Sequence, residues 1–159
     1  INDENYLVSP ADGIISQITE VNGPAELGLE NKNFTRVSIF MNVFNCHVNR
    51  VPCSGKINKI FYKPGKYINA SFDKASDENE RNYVQMNNKS GDQLILVQIA
   101  GLIARRIVTE SHEGQDLDQG TRIGMIRFGS RADIYFENYK PLVKVDQKTI
   151  AGETILAKR

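Results

Sequence analysis

Gly55-Lys-Ile-Asn-Lys-Ile-Phe-Tyr62 decides the fold. Apolar and polar residues alternate along it, which is the period of a strand with one buried face. Runs of the same kind recur on both sides, rich in Val, Ile, Phe and Tyr and bounded by Gly, Pro, Asn and Asp. They predict strands at Gly13–Val21, Thr35–Met41, Gly55–Tyr62, Tyr83–Asn87, Gln93–Ile99, Ile107–Ser111, Thr121–Phe128 and Ala132–Phe136. The longest apolar stretch, Leu94–Ala104, is 11 residues broken by Gln98 and reads as a buried strand or a short helix. Phe72–Asn82 is polar and reads as a loop or a short exposed helix, and Tyr139–Arg159 as strand-turn-strand around Ala151-Gly152. No long run has helical period, which argues against a doubly wound α/β fold. The expected fold is mainly β: hairpin modules of the barrel or sandwich-hybrid kind, with a few short helices.

Gly55–Ala70 and Ile107–Met125 share one rhythm of strand, Gly turn, hydrophobic residue and second strand. Hairpins that carry lipoyl or biotin have this rhythm, so a carrier module is one reading, with Lys74 as its modified residue. A non-catalytic, lipid-binding β scaffold is another. The chain has 159 residues, 40% of them hydrophobic, enough for one core, and reads as a single domain. Twenty basic and nineteen acidic residues leave a net charge of +1, which gives no basic stripe for nucleic acid. Eleven apolar residues fall short of the roughly 20 that a membrane-spanning helix needs. Two cysteines without a CxxC make neither a disulfide framework nor a zinc site. His47 and His112 lie 65 positions apart with no ligand spacing around them, so no metal is expected.

A few residues carry chemistry. His47 follows an apolar strand and precedes a Pro turn, where a proton carrier or a strand cap would sit. His112 lies in a polar turn and reads as solvated. Asp12, in Pro10-Ala-Asp-Gly13, has a turn residue's setting, with Asp bonding its own backbone and Gly free to take positive φ. Alternatively it orients an imidazole. Cys46 and Cys53 read as small and reduced. In Arg127-Phe-Gly-Ser-Arg131, Gly129 is the one glycine followed by Ser. Such a bond is open to attack by the hydroxyl on the preceding carbonyl, because glycine leaves the approach unblocked. A plain turn between strands is the other reading.

Taken in order, these segments resemble the short-form phosphatidylserine decarboxylase proenzymes. The resemblance rests on Val8-Ser-Pro-Ala-Asp-Gly13, Phe40-Met-Asn-Val-Phe44, His47-Val-Asn-Arg50 with Pro52 and Gly55, and Tyr62-Lys-Pro-Gly65. It continues through Asp73-Lys-Ala-Ser76, Asn79-Glu-Arg-Asn82, Ile99-Ala-Gly101 and Ala104-Arg-Arg-Ile107 to Gly124-Met-Ile-Arg-Phe-Gly-Ser-Arg131. It implies that Ser130 attacks the Gly129 carbonyl. The resulting ester breaks by β-elimination into a beta chain 1–129 and an alpha chain 130–159, which remain together non-covalently. It implies a pyruvoyl group derived from Ser130 that accepts electrons as phosphatidylserine loses CO2 to become phosphatidylethanolamine. Asp12 would assist the cleavage, and His47 would transfer a proton in decarboxylation, with the cleavage as its second candidate step. Longer members carry a second histidine where this chain has Arg50. An arginine stays protonated, so the base for Ser130 would be Asp12 or His47, and Arg50 would hold the substrate's carboxylate or phosphate. The resemblance further implies a homo-oligomer on the cytoplasmic face of the cell membrane, with an anchor upstream of Ile1. Lys63, Lys66, Lys74 and Arg81 would then meet anionic head groups.

Overall fold

The computed structural model describes residues 3–41, 48–66, 78–101, 107–126 and 130–159. Its strands are β1 (Tyr6–Val8), β2 (Gly13–Asn22), β3 (Asn33–Met41), β4 (Val48–Arg50), β5 (Gly55–Lys63), β6 (Arg81–Asn88) and β7 (Gln93–Ile99). They continue as β8 (Ile107–Thr109), β9 (Asp116–Leu117), β10 (Arg122–Ile126), β11 (Ser130–Phe136), β12 (Lys140–Pro141), β13 (Lys148–Thr149) and β14 (Ile155–Lys158). Eight of them form a sheet in the order β13-β2-β3-β11-β7-β6-β5-β9, curled into a half-barrel. Two three-stranded sheets, β4-β10-β8 and β1-β14-β12, hold the other strands of the described residues. Every pairing of named strands is antiparallel. The mainly β expectation holds. Of the short helices, the described residues contain one 3-10 turn, Ala25–Leu27, ended by Gly28 at φ 73°.

β11 lies mid-sheet, hydrogen-bonded to β3 on one side and β7 on the other, and all seven of its residues are buried. Strand period 2 sends Ala132, Ile134 and Phe136 into the main core with Val37, Ile39, Leu94 and Leu96. Tyr135 goes to the opposite face, with Phe34, Ile95 and Val97. Each such buried aliphatic side chain contributes about 1.5–3 kcal/mol. Arg131 also faces away from the main core, and its guanidinium forks onto Asp133 (Nε–Oδ1 2.9 Å, Nη2–Oδ2 3.1 Å). That pairing explains why β11 starts at Ser130, two residues before the predicted strand. A charge that reads as a turn residue is tolerated mid-sheet once it is paired and hydrogen-bonded.

Other departures have local causes. In β5 a bulge between Ile57 and Lys59 returns Ile60 to the core side, so the alternation that reads as unbroken slips by one residue. Leu94–Ala104 resolves its ambiguity as strand β7 up to Ile99, with 102–106 outside the described residues. Arg81 and Asn82, expected in an exposed loop, open strand β6 and are buried. Arg81 therefore does not offer its charge to head groups: it is 2% exposed and its Nε donates to the Asn79 carbonyl. Lys74 lies outside the described residues. The two stretches with a shared rhythm meet in the eight-stranded sheet through β5 and β9, while β8 and β10 of the second lie in a three-stranded sheet. β9 pairs with β5, the Gly114 N–H donates to the Ile57 carbonyl, and the Ile60 N–H donates to Glu113 Oε1.

Candidate active site

Ser130 and Asp12 come to one end of the eight-stranded sheet. Ile14 pairs with Phe40, and Phe40 with Arg131, so the residues beside them are separated by the width of β3, about 10 Å between outer strands. Ser130 pairs with Met41 and is fully buried. Period 2 puts its side chain on the face of Ala132 and Ile134, toward the main core. Gly129, the other half of the candidate bond, lies outside the described residues, as do His47 and Cys46. His47 immediately precedes β4.

Asp12 does not act as a turn residue. Its Oδ1 accepts from the Ala151 N–H at 2.6 Å, across 139 positions of sequence. The local turn belongs to Ser9, whose Oγ donates to the Ala11 carbonyl at 2.8 Å. Gly13 needs no positive φ either. A Cβ there would stand 2.3 Å from the Phe40 carbonyl oxygen and 2.8 Å from Ile39 Cγ2, so glycine lets β2 and β3 close beside Asp12.

Arg50 leans on the same loop that Asp12 holds. Its Nη1 donates to the Gly120 carbonyl at 2.8 Å, and its Cδ lies over Gly152, 2.9 Å from where a Cβ would be. Gly152, at φ 75°, donates its N–H to the Ser9 carbonyl, and the Arg50 N–H donates to Pro10. A cavity of about 300 Å³ opens here, lined by Arg50, Gln119, Gly120, Ala151, Gly152 and Glu153. The loop at 150–153 thus links Asp12 to Arg50, two residues far apart in sequence.

The remaining candidates stand aside. Cys53 is fully buried, and burial pushes its thiol up, away from the reactive thiolate. His112 is exposed, as expected of a solvated loop residue. Among the described residues no group of His, Cys, Asp and Glu could hold a metal ion, and no helix is long and apolar enough to cross a membrane. One residue escapes sequence reasoning altogether. Gln98, a single amide in an apolar strand, is 1% exposed beside β11, where it pairs with Ala132. Its isolation among aliphatic neighbours was the available signal.

The half-barrel thus carries a buried serine at the head of a mid-sheet strand, with an acid and a guanidinium joined through one loop. A carrier hairpin, by contrast, presents its lysine on a tip. Comparison with known proteins agrees. The phosphatidylserine decarboxylase family model matches residues 1–157. A phosphatidylserine decarboxylase proenzyme of Pelagibacter ubique (strain HTCC1062) is 70% identical over 159 residues, covering 100% of this chain and 74% of that protein. One of Ruegeria pomeroyi is 55% identical over 155 residues, covering 97% of this chain and 71% of that protein. The chain belongs to the phosphatidylserine decarboxylase family.

Proposed function

We propose that the chain is a self-processing decarboxylase that converts phosphatidylserine to phosphatidylethanolamine and CO2. Family membership along nearly the whole chain carries the reaction and its substrate. The proenzyme names of both relatives accord with a precursor that must be cut. For the cut itself, Ser130 Oγ attacks the Gly129 carbonyl carbon. The C–N bond breaks, the hydroxyl proton passes to the Ser130 nitrogen, and the ester that forms is opened by β-elimination.

The surroundings of Ser130 fit a pyruvoyl group at the head of the new chain. The position is fully buried on the core face of β11, beside Ala132 and Met41, with no charged side chain on that face of β11. Such a group, once formed, supplies the electron sink that a departing carboxylate requires and that ordinary side chains lack. The chain's own residues do the rest. Arg50 faces the cavity of about 300 Å³ and holds the carboxylate or phosphate of the head group by charge-assisted bonds. Asp12, anchored through Ala151, assists the cleavage, and His47 carries the proton of decarboxylation.

After cleavage the 130–159 chain keeps its place without a covalent link. β11 remains hydrogen-bonded on both edges, and Asn138 Nδ2 donates to Asp92 Oδ1 of the larger chain at 2.8 Å. The substrate is a lipid, so the enzyme works at a membrane surface. The carrying observation is the family match, and the discriminating experiment is Ser130→Ala assayed for CO2 release from phosphatidylserine vesicles. No release is expected, from a chain that stays whole. Release at the wild-type rate would show that the reaction does not run through Ser130, and no release from the wild type either would return the protein to the lipid-binding scaffold reading.

A further inference from the structure

Gln98 occupies a position that no apolar strand provides by accident. A buried amide is costly unless hydrogen-bonded, and every bond of this one reaches a different strand. Its Nε2 donates to Asn49 Oδ1 in β4 at 3.0 Å. Its Oε1 accepts from Asn82 Nδ2 in β6 at 3.2 Å and from Thr109 Oγ1 in β8 at 3.3 Å. Asn82 Nδ2 also donates to Thr109 Oγ1 at 2.7 Å, and Asn49 Nδ2 donates to the Pro10 carbonyl at 3.4 Å. Donors and acceptors are matched throughout, so the amide has one orientation. Flipping it would set nitrogen against Asn82 and oxygen against Asn49.

Between Asn49 and Thr109 runs β10, where Gly124 pairs with both. A Cβ on Gly124 would lie 2.6 Å from the Val108 carbonyl and 2.9 Å from Gln98 Nε2. The glycine that opens Gly124-Met-Ile-Arg-Phe-Gly-Ser-Arg131 is therefore the seat over which the Gln98 amide passes to grip the strand on either side. This side chain ties the three-stranded sheet to the eight-stranded one. β10 leads directly into residues 127–129, β4 follows directly on His47, and β7, which carries Gln98, pairs with β11 and Ser130's neighbour Ala132.

We propose that Gln98 is a positioning residue for self-cleavage. By clamping β4, β10 and β8 against β7, it sets the approach of the Gly129 carbonyl to Ser130 Oγ. The inference rests on the reading that the chain cuts itself there. A misplacement of about 1 Å costs such a step on the order of 100-fold.

The test follows cleavage of freshly translated chain with time, in parallel with the melting temperature of each variant in a Ser130→Ala background. Gln98→Met keeps the length of the side chain and removes its bonds. It is expected to slow cleavage on the order of 100-fold at temperatures where the chain is folded. Hydroxylamine, which cuts an accumulated ester, is expected to give no rescue, because the ester never builds up. Leu96→Val, on the same strand and face, is the control: it lowers the melting temperature and leaves the cleavage rate unchanged. Thr109→Val, at the half-buried end of the network, tests the same clamp in a site that tolerates change and is expected to slow cleavage several-fold. Cleavage of both Gln98→Met and Thr109→Val at the wild-type rate, or slowing matched by Leu96→Val at equal loss of melting temperature, overturns the positioning role alone. A wild-type chain that never cleaves overturns this role together with the functional reading beneath it.

Discussion

Asp12 has two separable jobs, and one pair of substitutions divides them. Its Oδ1 receives the Ala151 N–H at 2.6 Å, a charge-assisted bond that fixes the loop against which Arg50 packs. A bond to a charged group contributes about 1.5–3 kcal/mol, and a neutral one about 1 kcal/mol. Asp12→Ala removes it all, and Asp12→Asn keeps an acceptor in place without the charge. At about 2–4 °C per kcal/mol for a chain of this size, Asp12→Ala is expected to melt about 3–12 °C lower, and Asp12→Asn, which loses about 0.5–2 kcal/mol, about 1–8 °C lower. The melt is followed by circular dichroism in the Ser130→Ala background, where the chain is whole. The chemical job reads differently. Loss of a proton-transferring carboxylate slows a step by about 10²–10⁴-fold, so Asp12→Asn is expected to be more stable than Asp12→Ala and far slower to cleave than wild type. Electrophoresis of samples taken over time measures that rate. Asp12→Asn cleaving as fast as wild type would refute the chemical role and leave Asp12 as a loop anchor. Asp12→Ala melting with wild type would refute the anchor.

Two more outcomes follow from the geometry. Arg50→Ala is expected to raise KM for phosphatidylserine vesicles about 10–100-fold, with a smaller change in kcat, which is the loss of one charge-assisted contact to the head group; an unchanged KM would make Arg50 a strut for Gly120 and Gly152. Acid should loosen the junction of the two cleaved chains at Asp92. Burial raises that carboxyl, but bonds from Asn138, Asn88 and Arg159 outweigh it and hold it below the usual carboxylate range. A group lowered on folding gives stability that is fully present above its unfolded value, near 3.9, and is lost as pH falls through the folded one. The 130–159 chain should therefore dissociate more readily below about pH 4. Asp92→Asn should flatten that acid limb in size-exclusion runs across pH, and an unchanged limb would count against the assignment.

Sheet content was legible because period 2 and Gly or Pro punctuation are local properties. Gly55–Lys63, Gln93–Ile99 and Thr35–Met41 could be read from their own residues. What could not be read depends on partners distant in sequence. Arg131 looks like a turn residue until Asp133 is seen to neutralise it inside the sheet. Arg81 looks solvated, yet it is buried at the head of β6. The Asp12-Gly13 pair has the letters of a turn, but its constraints come from Ala151 and Phe40, 139 and 27 positions away. The candidate site could be read only as an ordered set of short motifs, since a Gly-Ser pair alone is usually a turn. Gln98 went unread because nothing in the chain's order brings Asn49, Asn82, Thr109 and Gly124 around one amide.

The central claim is that the backbone is cut between Gly129 and Ser130 and that position 130 loses its serine. Intact-mass spectrometry of purified, active protein tests it most directly. The account predicts two species, residues 1–129 ending in a free carboxylate and residues 130–159 lighter than an unmodified peptide of that sequence, because the serine amine has left as ammonia. A single species of the full 17.9 kDa chain, still releasing CO2 from phosphatidylserine, would contradict it.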